Sequence, residues 1–172
     1  MAAALGVLWA LTHAEAATVR MAGGEWRLLG HVAATQLVVE SGAVLAGTGT
    51  VHGAAVVRGA VAAGLAAGDV KTLTFTDDLL FDGGRFACDV AASDSADALA
   101  VSGTVSGTAT VEVARVAGAF PANRVIIAGA ADSAYGSFSV SPPGGLVLGQ
   151  SGALDLTLSA VPEFGLLGTN DA

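Results

Sequence analysis

Basic side chains are scarce in this sequence. Lys71 is the only lysine, and fifteen acidic residues against seven basic ones give a formal net charge of −8. Nucleic-acid binding needs clustered Lys and Arg to displace counterions from phosphates, so that class of partner is excluded. An anionic membrane surface is disfavoured on the same ground. Cysteine is nearly absent too. Cys88 stands alone, which rules out an intramolecular disulfide. Aromatic residues make up 5% of the chain, too few for a broad aromatic core. No apolar run is long enough to cross a bilayer, which takes about 20 residues.

Small residues take the place of what is missing. Hydrophobic residues reach 53%, mostly Ala, Val and Leu, and there are 24 glycines in 172 residues. That mixture suits a thin, tightly stacked core within one domain. From Thr18 to Ser159 the chain reads as short β-strands separated by Gly, Asp, Asn or Ser. Examples are Gln36–Glu40, Ala54–Val57, Leu73–Phe75, Leu79–Phe81, Ala98–Val101, Ala109–Val113, Arg124–Ile127 and Ala153–Ser159. In the last, Leu154, Leu156 and Leu158 alternate, which predicts one buried face. Glycines at 42, 47, 49, 53, 59, 64 and 68 lie too close together for antiparallel hairpins with full strands. They fit coils that turn after each short strand, with Gly supplying positive φ at the corners. The expected fold is all-β, a right-handed parallel β-helix (solenoid), over residues 18–160, with a β-sandwich as the alternative.

The ends differ from the body. Residues 1–17 read as a secretory signal peptide: Ala2–Leu11 is a short apolar run, and Ala14-Glu15-Ala16 has the small–x–small cleavage pattern, although no Lys or Arg precedes the run. Residues 161–172 read as a loose tail, because Pro162 cannot donate to a strand ladder.

Leu37-Val38-Val39-Glu40-Ser41-Gly42-Ala43-Val44-Leu45-Ala46-Gly47-Thr48-Gly49-Thr50-Val51-His52-Gly53 resembles the autotransporter-associated β-strand repeat. Gly59–Asp69 resembles its next coil, with Ala67 in place of a customary Pro, and Asp97-Ala98-Leu99-Ala100-Val101-Ser102-Gly103 resembles a later one. The likeness runs over residues 26–160. It implies a passenger-type parallel β-helix, export, and display at or beyond the cell surface, with no shared catalytic residues. Val161-Pro162-Glu163 also resembles the start of a Pro-Glu-Pro C-terminal sorting signal, with Phe164 where the second Pro belongs.

Motifs that would carry chemistry are incomplete. Gly47–Gly53 is one residue too long for a dinucleotide fingerprint, and Lys71 lacks the glycine that precedes a phosphate-loop lysine. Gly149-Gln150-Ser151-Gly152 begins like a nucleophile elbow, but Ala153 replaces its last glycine. His13, His31 and His52 lack close metal-ligand spacing. Cys88 alternates with Phe86 and Val90 and reads as a buried small hydrophobe, with Arg85 on the opposite face. Thr48, Thr50, Thr72, Thr74, Thr76, Thr108 and Thr110 are unevenly spaced and read as surface-facing strand residues rather than one row.

The acids are the strongest candidates, because polysaccharide-cleaving β-helices use converging carboxylates. Asp77, Asp78 and Asp82 are expected at turns, and Asp94 and Asp97 beside a loop that could offer Ca²⁺ some oxygens; Asp89 lies in the same stretch. The carboxylates are expected to be exposed and apart. No catalytic, cofactor-binding or metal-ligating residue is therefore assigned. The expected role is an exported structural or adhesive module, secreted or at the cell surface, with surface polysaccharide or other cell-surface components as partners and no insertion into the membrane. The alternative is a carbohydrate-active β-helix enzyme.

Overall fold

A computed structural model describes residues 5–8, 17–91, 95–115, 123–141, 146–152 and 155–160. The signal-peptide cleavage pattern at 14–16, His13, Asp94, Leu154 and the tail at 161–172 lie outside them. Every regular element among the described residues is a β-strand. In chain order these are β1 (Leu5–Leu8), β2 (Thr18–Met21), β3 (Gly24–Leu28), β4 (His31–Val39), β5 (Ala43–Gly47), β6 (Thr50–Val57), β7 (Ala60–Ala63) and β8 (Thr72–Phe75). They continue as β9 (Leu79–Ala91), β10 (Ser95–Ala96), β11 (Ala98–Val101), β12 (Val105–Arg115), β13 (Arg124–Ala128), β14 (Phe138–Ser141), β15 (Leu146–Ser151) and β16 (Asp155–Ala160). No helix among the described residues is long and apolar enough to cross a membrane.

The strands pair into three ladders, and the pairing is mostly parallel. In the first ladder Val19, Leu37, Ala55, Leu79 and Val105 stand in register. In the second, Trp26, Leu45, Val61, Phe86, Val111 and Val140 do so. In the third, Val32, Val51, Phe75 and Val101 form one column, and Leu73, Leu99 and Ile127 another. The chain visits first, second and third ladder and then begins again, so each circuit lays one rung on the last. β1 adds to the second ladder beside β3, so part of the expected signal peptide is paired in this structure.

Alternation within each strand turns one set of side chains inward. Phe75 at the end of β8, and Phe81 and Phe86 within β9, stand one on each of the three ladders and are all fully buried in the same core cluster. Burying each contributes roughly 1.5–3 kcal/mol. Small residues share the core on the N-terminal side of these rings with larger ones: Ala43, Ala55 and Ala60 are buried, as are Met21, Leu28, Leu37 and Leu45.

The expected short strands are in fact longer in places. β4 and β6 run on from the third ladder into the first, and β9 and β12 from the first into the second. The chain stays hydrogen-bonded through these corners because it bends at a register shift instead of breaking. Shifts fall between Ala33 and Gln36 and between Thr108 and Ala109. Two glycines show why no side chain is tolerated there. A Cβ on Gly53 (φ +104°) would lie 1.7 Å from the Ala34 carbonyl oxygen, and one on Gly107 (φ +96°) 1.9 Å from that of Phe81.

The C-terminal end departs from the parallel scheme. β16 pairs antiparallel with β13 and with β15, and β10 folds back antiparallel on β9. Leu156 and Leu158 are buried as their alternation predicts, but Thr157 between them is buried too, so β16 has no solvent face there. A mostly parallel sheet is not the pairing of a β-sandwich, whose two sheets are antiparallel.

Candidate functional site: the aspartate corners

The corner from third to first ladder carries Asp77 and Asp78, side by side and exposed, between β8 and β9. They reach in opposite directions along the stack. Asp77 Oδ2 accepts the backbone N–H of Gly53 on the preceding rung at 3.0 Å, and the Thr76 hydroxyl at 2.9 Å. Asp78 Oδ1 accepts the Thr104 N–H on the following rung at 2.8 Å, and its hydroxyl at 2.9 Å. Those donors, the backbone N–H first, hold the Asp78 carboxyl below its ordinary value. One rung further, the Ser133 hydroxyl accepts the Val105 N–H at 3.0 Å and donates to the Ala130 carbonyl at 2.8 Å.

The corner from first to second ladder carries a row of alternating charge. Glu40 accepts from Arg20 on the preceding rung and from Arg58 on the following one, and Arg58 donates to Asp82 one rung beyond at 2.9 Å. The Arg58 hydrogen bond is the main reason that Glu40 titrates below its usual value, and the Asp82 bond is the main reason that Arg58 titrates above its own. The side chains are largely exposed, so each pair contributes little by itself.

The corner from second to third ladder holds Asp89 and Asp97. Here the structure corrects an expectation: Asp97 is not exposed beside a loop but buried, at 2% relative exposure. It sits at the entry to β11, and both oxygens are engaged. Oδ1 accepts the Lys71 N–H at 2.9 Å and Oδ2 the Asp89 N–H at 3.0 Å. The Asp89 carboxylate in turn accepts the Gly68 N–H at 2.6 Å. Burial, reinforced by the charges of Asp89 and Asp69, outweighs the two N–H donors and raises Asp97 to about 6. Lys71 pairs with Asp69 at 3.0 Å. The two carboxylates thus tie the 64–71 excursion between β7 and β8 to the strands beneath it.

Cys88 is buried as expected, with Phe86 and Val90 buried beside it and Arg85 facing out. Its thiol is pushed well above the ordinary value by burial first, and then by Asp97 and Asp89. A thiolate nucleophile needs the opposite surroundings. Ser151 lies at the end of β15, running into a turn at Gly152, which is not the strand–turn–helix context of a nucleophile elbow. Thr50 stands opposite Thr74 in register, while Thr72 stands opposite Ala98, so the threonines form no continuous row. His31 and His52 are brought together across two rungs, their ring centres 5.9 Å apart. Among the described residues no group of three or more His, Cys, Asp or Glu side chains is placed to hold a metal ion.

Chemically, these corner carboxylates are acceptors for backbone donors, for hydroxyls and for arginines. General acid–base work on a sugar requires two carboxyls with free oxygens flanking one bond. Asp77, Asp78 and Asp82 spend oxygens on separate partners at two different corners. Asp89 and Asp97 are the exception in placement: with Glu25, Val44 and Leu65 they border a shallow depression of about 200 Å³ on the second ladder. The burial of Asp97 had one visible signal, its position directly before the alternating strand Ala98–Val101. No protein-family model matches the chain, and a search of curated proteins returns no similar sequence.

Proposed function

We propose that this chain is an exported structural or adhesive module, a right-handed parallel β-helix of the passenger type, with no catalytic activity. The observation that carries the reading is the use made of the acids. Asp77, Asp78, Asp89 and Asp97 each accept a backbone N–H, from Gly53, Thr104, Gly68 and Lys71 in turn, and each of these bonds joins segments far apart in sequence. Such groups serve the stack rather than a substrate. Three parallel ladders visited in cyclic order support the solenoid, and right-handed connection is the rule for parallel strands. The autotransporter-like repeats support export and display, with surface polysaccharide or another cell-surface component as the partner.

The test uses natively exported protein. Intact mass should place the mature N-terminus near Ala17, external protease should reach the protein on whole cells, and cell-surface polysaccharide should retain it. An unprocessed Met1 recovered outside the cell would refute the leader. An experimental structure with two facing antiparallel sheets would refute the solenoid.

The second reading, a polysaccharide-cleaving enzyme, draws on one observation: Asp97, with its raised carboxyl, borders the depression together with Asp89. Cleavage of a polysaccharide that is abolished in Asp97→Asn or Asp78→Ala would establish this reading and overturn the first.

A further inference from the structure

The two described histidines belong to different rungs, and only His52 touches a corner just described, through the Thr76 hydroxyl. His31 begins β4 and His52 lies in β6; the two strands are neighbours in the third ladder, where His31 stands opposite Thr50 and His52 opposite Ala33. The diagonal brings the exposed rings edge to face, centres 5.9 Å apart and planes at 73°. The spacing in sequence hides this, because a whole rung separates the two residues.

His52 is also oriented from behind. Its Nδ1 lies 3.4 Å from the Thr76 hydroxyl oxygen. That hydroxyl has one proton and two acceptors in reach, the Asp77 carboxylate at 2.9 Å and the Val51 carbonyl at 3.4 Å. The nearer, charged acceptor takes the proton, which leaves the oxygen to accept from His52 Nδ1–H. In the Nδ1–H tautomer that this contact favours, the lone pair lies on Nε2. Metal-ligating histidines ordinarily donate their other ring N–H to a carboxylate, carbonyl or water, and here a hydroxyl held by Asp77 stands in that place.

We propose that His31 and His52 together form a surface site for a divalent transition-metal ion such as Zn²⁺, with water completing the coordination. With Zn–N bonds of about 2.0–2.1 Å, two imidazoles on one tetrahedral ion have ring centres about 5 Å apart. The observed separation is slightly wider, and side-chain rotation on an exposed face closes the difference without moving the strands. The bound ion would join two successive rungs on the outside of the third ladder. Thr76 is then a positioning residue, acting through His52.

The experiment is a calorimetric titration of the full, untagged chain with Zn²⁺ alone. The expected result is one ion per chain, with affinity at least about tenfold weaker in His31→Ala and in His52→Ala, and unchanged in His13→Ala. His52→Asn serves as a second variant that keeps a polar side chain against Thr76. Thr76→Val should weaken binding by less than removal of His52, and Thr76→Ser, which keeps the hydroxyl, should restore the wild-type affinity. No saturable binding by the wild-type chain, wild-type affinity in either histidine variant, or loss in His13→Ala alone would each overturn the proposal.

Discussion

Replacing Asp97 by asparagine separates two opposed effects of one buried carboxylate. In the folded chain its value is raised from 3.8 to about 6. The native state therefore binds this proton more tightly than the unfolded state does. Stability from this group is fully present below pH 3.8 and is lost as the pH rises through about 6. Between about pH 7.5 and about pH 5, acidification should strengthen the wild-type fold by about 1.4 kcal/mol through Asp97. For a chain of this length that is a rise in Tm of about 3–5 °C. The side chain of the Asp97→Asn variant cannot titrate, so this gain disappears. Its amide also presents N–H₂ where one oxygen met the N–H of either Lys71 or Asp89, and an unmet buried donor costs about 1–3 kcal/mol. At the higher pH the relief of a buried charge offsets that loss, and the variant should unfold close to the wild type. At the lower pH it should fall clearly below. Denaturant midpoints at both pH values measure this, with the m-value checked for constancy. A constant offset between the two proteins across the window would refute the reasoning.

Three further outcomes follow from the geometry. Gly53→Ala should cost more than about 3 kcal/mol or abolish soluble expression, because its Cβ would collide with the Ala34 carbonyl, whereas Gly83→Ala, at φ +75° with open space around it, should cost about 1–2 kcal/mol; comparable midpoints for the two would show that the close approach is not limiting. Asp78→Asn should lower Tm at neutral pH, and the gap should narrow as the pH falls below the ordinary value of 3.8 and protonates the native carboxylate, since a lowered carboxyl contributes stability only while ionised; a gap that widens with acid would contradict the Thr104 bonds. Cys88 should resist alkylation in the folded protein and react fully in denaturant, and rapid native labelling would mean that the thiol is neither buried nor raised.

The sequence made the strand content legible because local pattern and tertiary role agree. Ala98–Val101 has the same bounds in the structure, and Phe86, Cys88 and Val90 point inward as their alternation predicts. Corner glycines such as Gly53 were legible for a similar reason: only one residue type fits their backbone. What could not be read was contact between rungs. The meeting of His31 with His52 depends on the register of β4 against β6, which no local spacing encodes. Asp97 misled because an aspartate beside a loop is ordinarily a solvated turn former, and only its two backbone donors explain its burial. Thr157 misled because β16 is paired on both edges and covered on both faces, so alternation loses its meaning there.

The row Arg20, Glu40, Arg58, Asp82 also bears on how the stack is assembled. Four successive rungs with similar, low-complexity strands invite a threading error in which one rung is skipped and its neighbours close up. Correct stacking sets every charge in the row beside its opposite. Omission of the Glu40 rung would set Arg20 against Arg58, and omission of the Arg58 rung would set Glu40 against Asp82. The small alanines, valines and glycines inside scarcely distinguish one rung from the next, so the repulsion outside acts as a parity check on their order. Pairs that add little to the depth of the native state can still raise the free energy of its closest competitors, and charge reversal at Glu40 should therefore reveal itself first as misassembly during refolding.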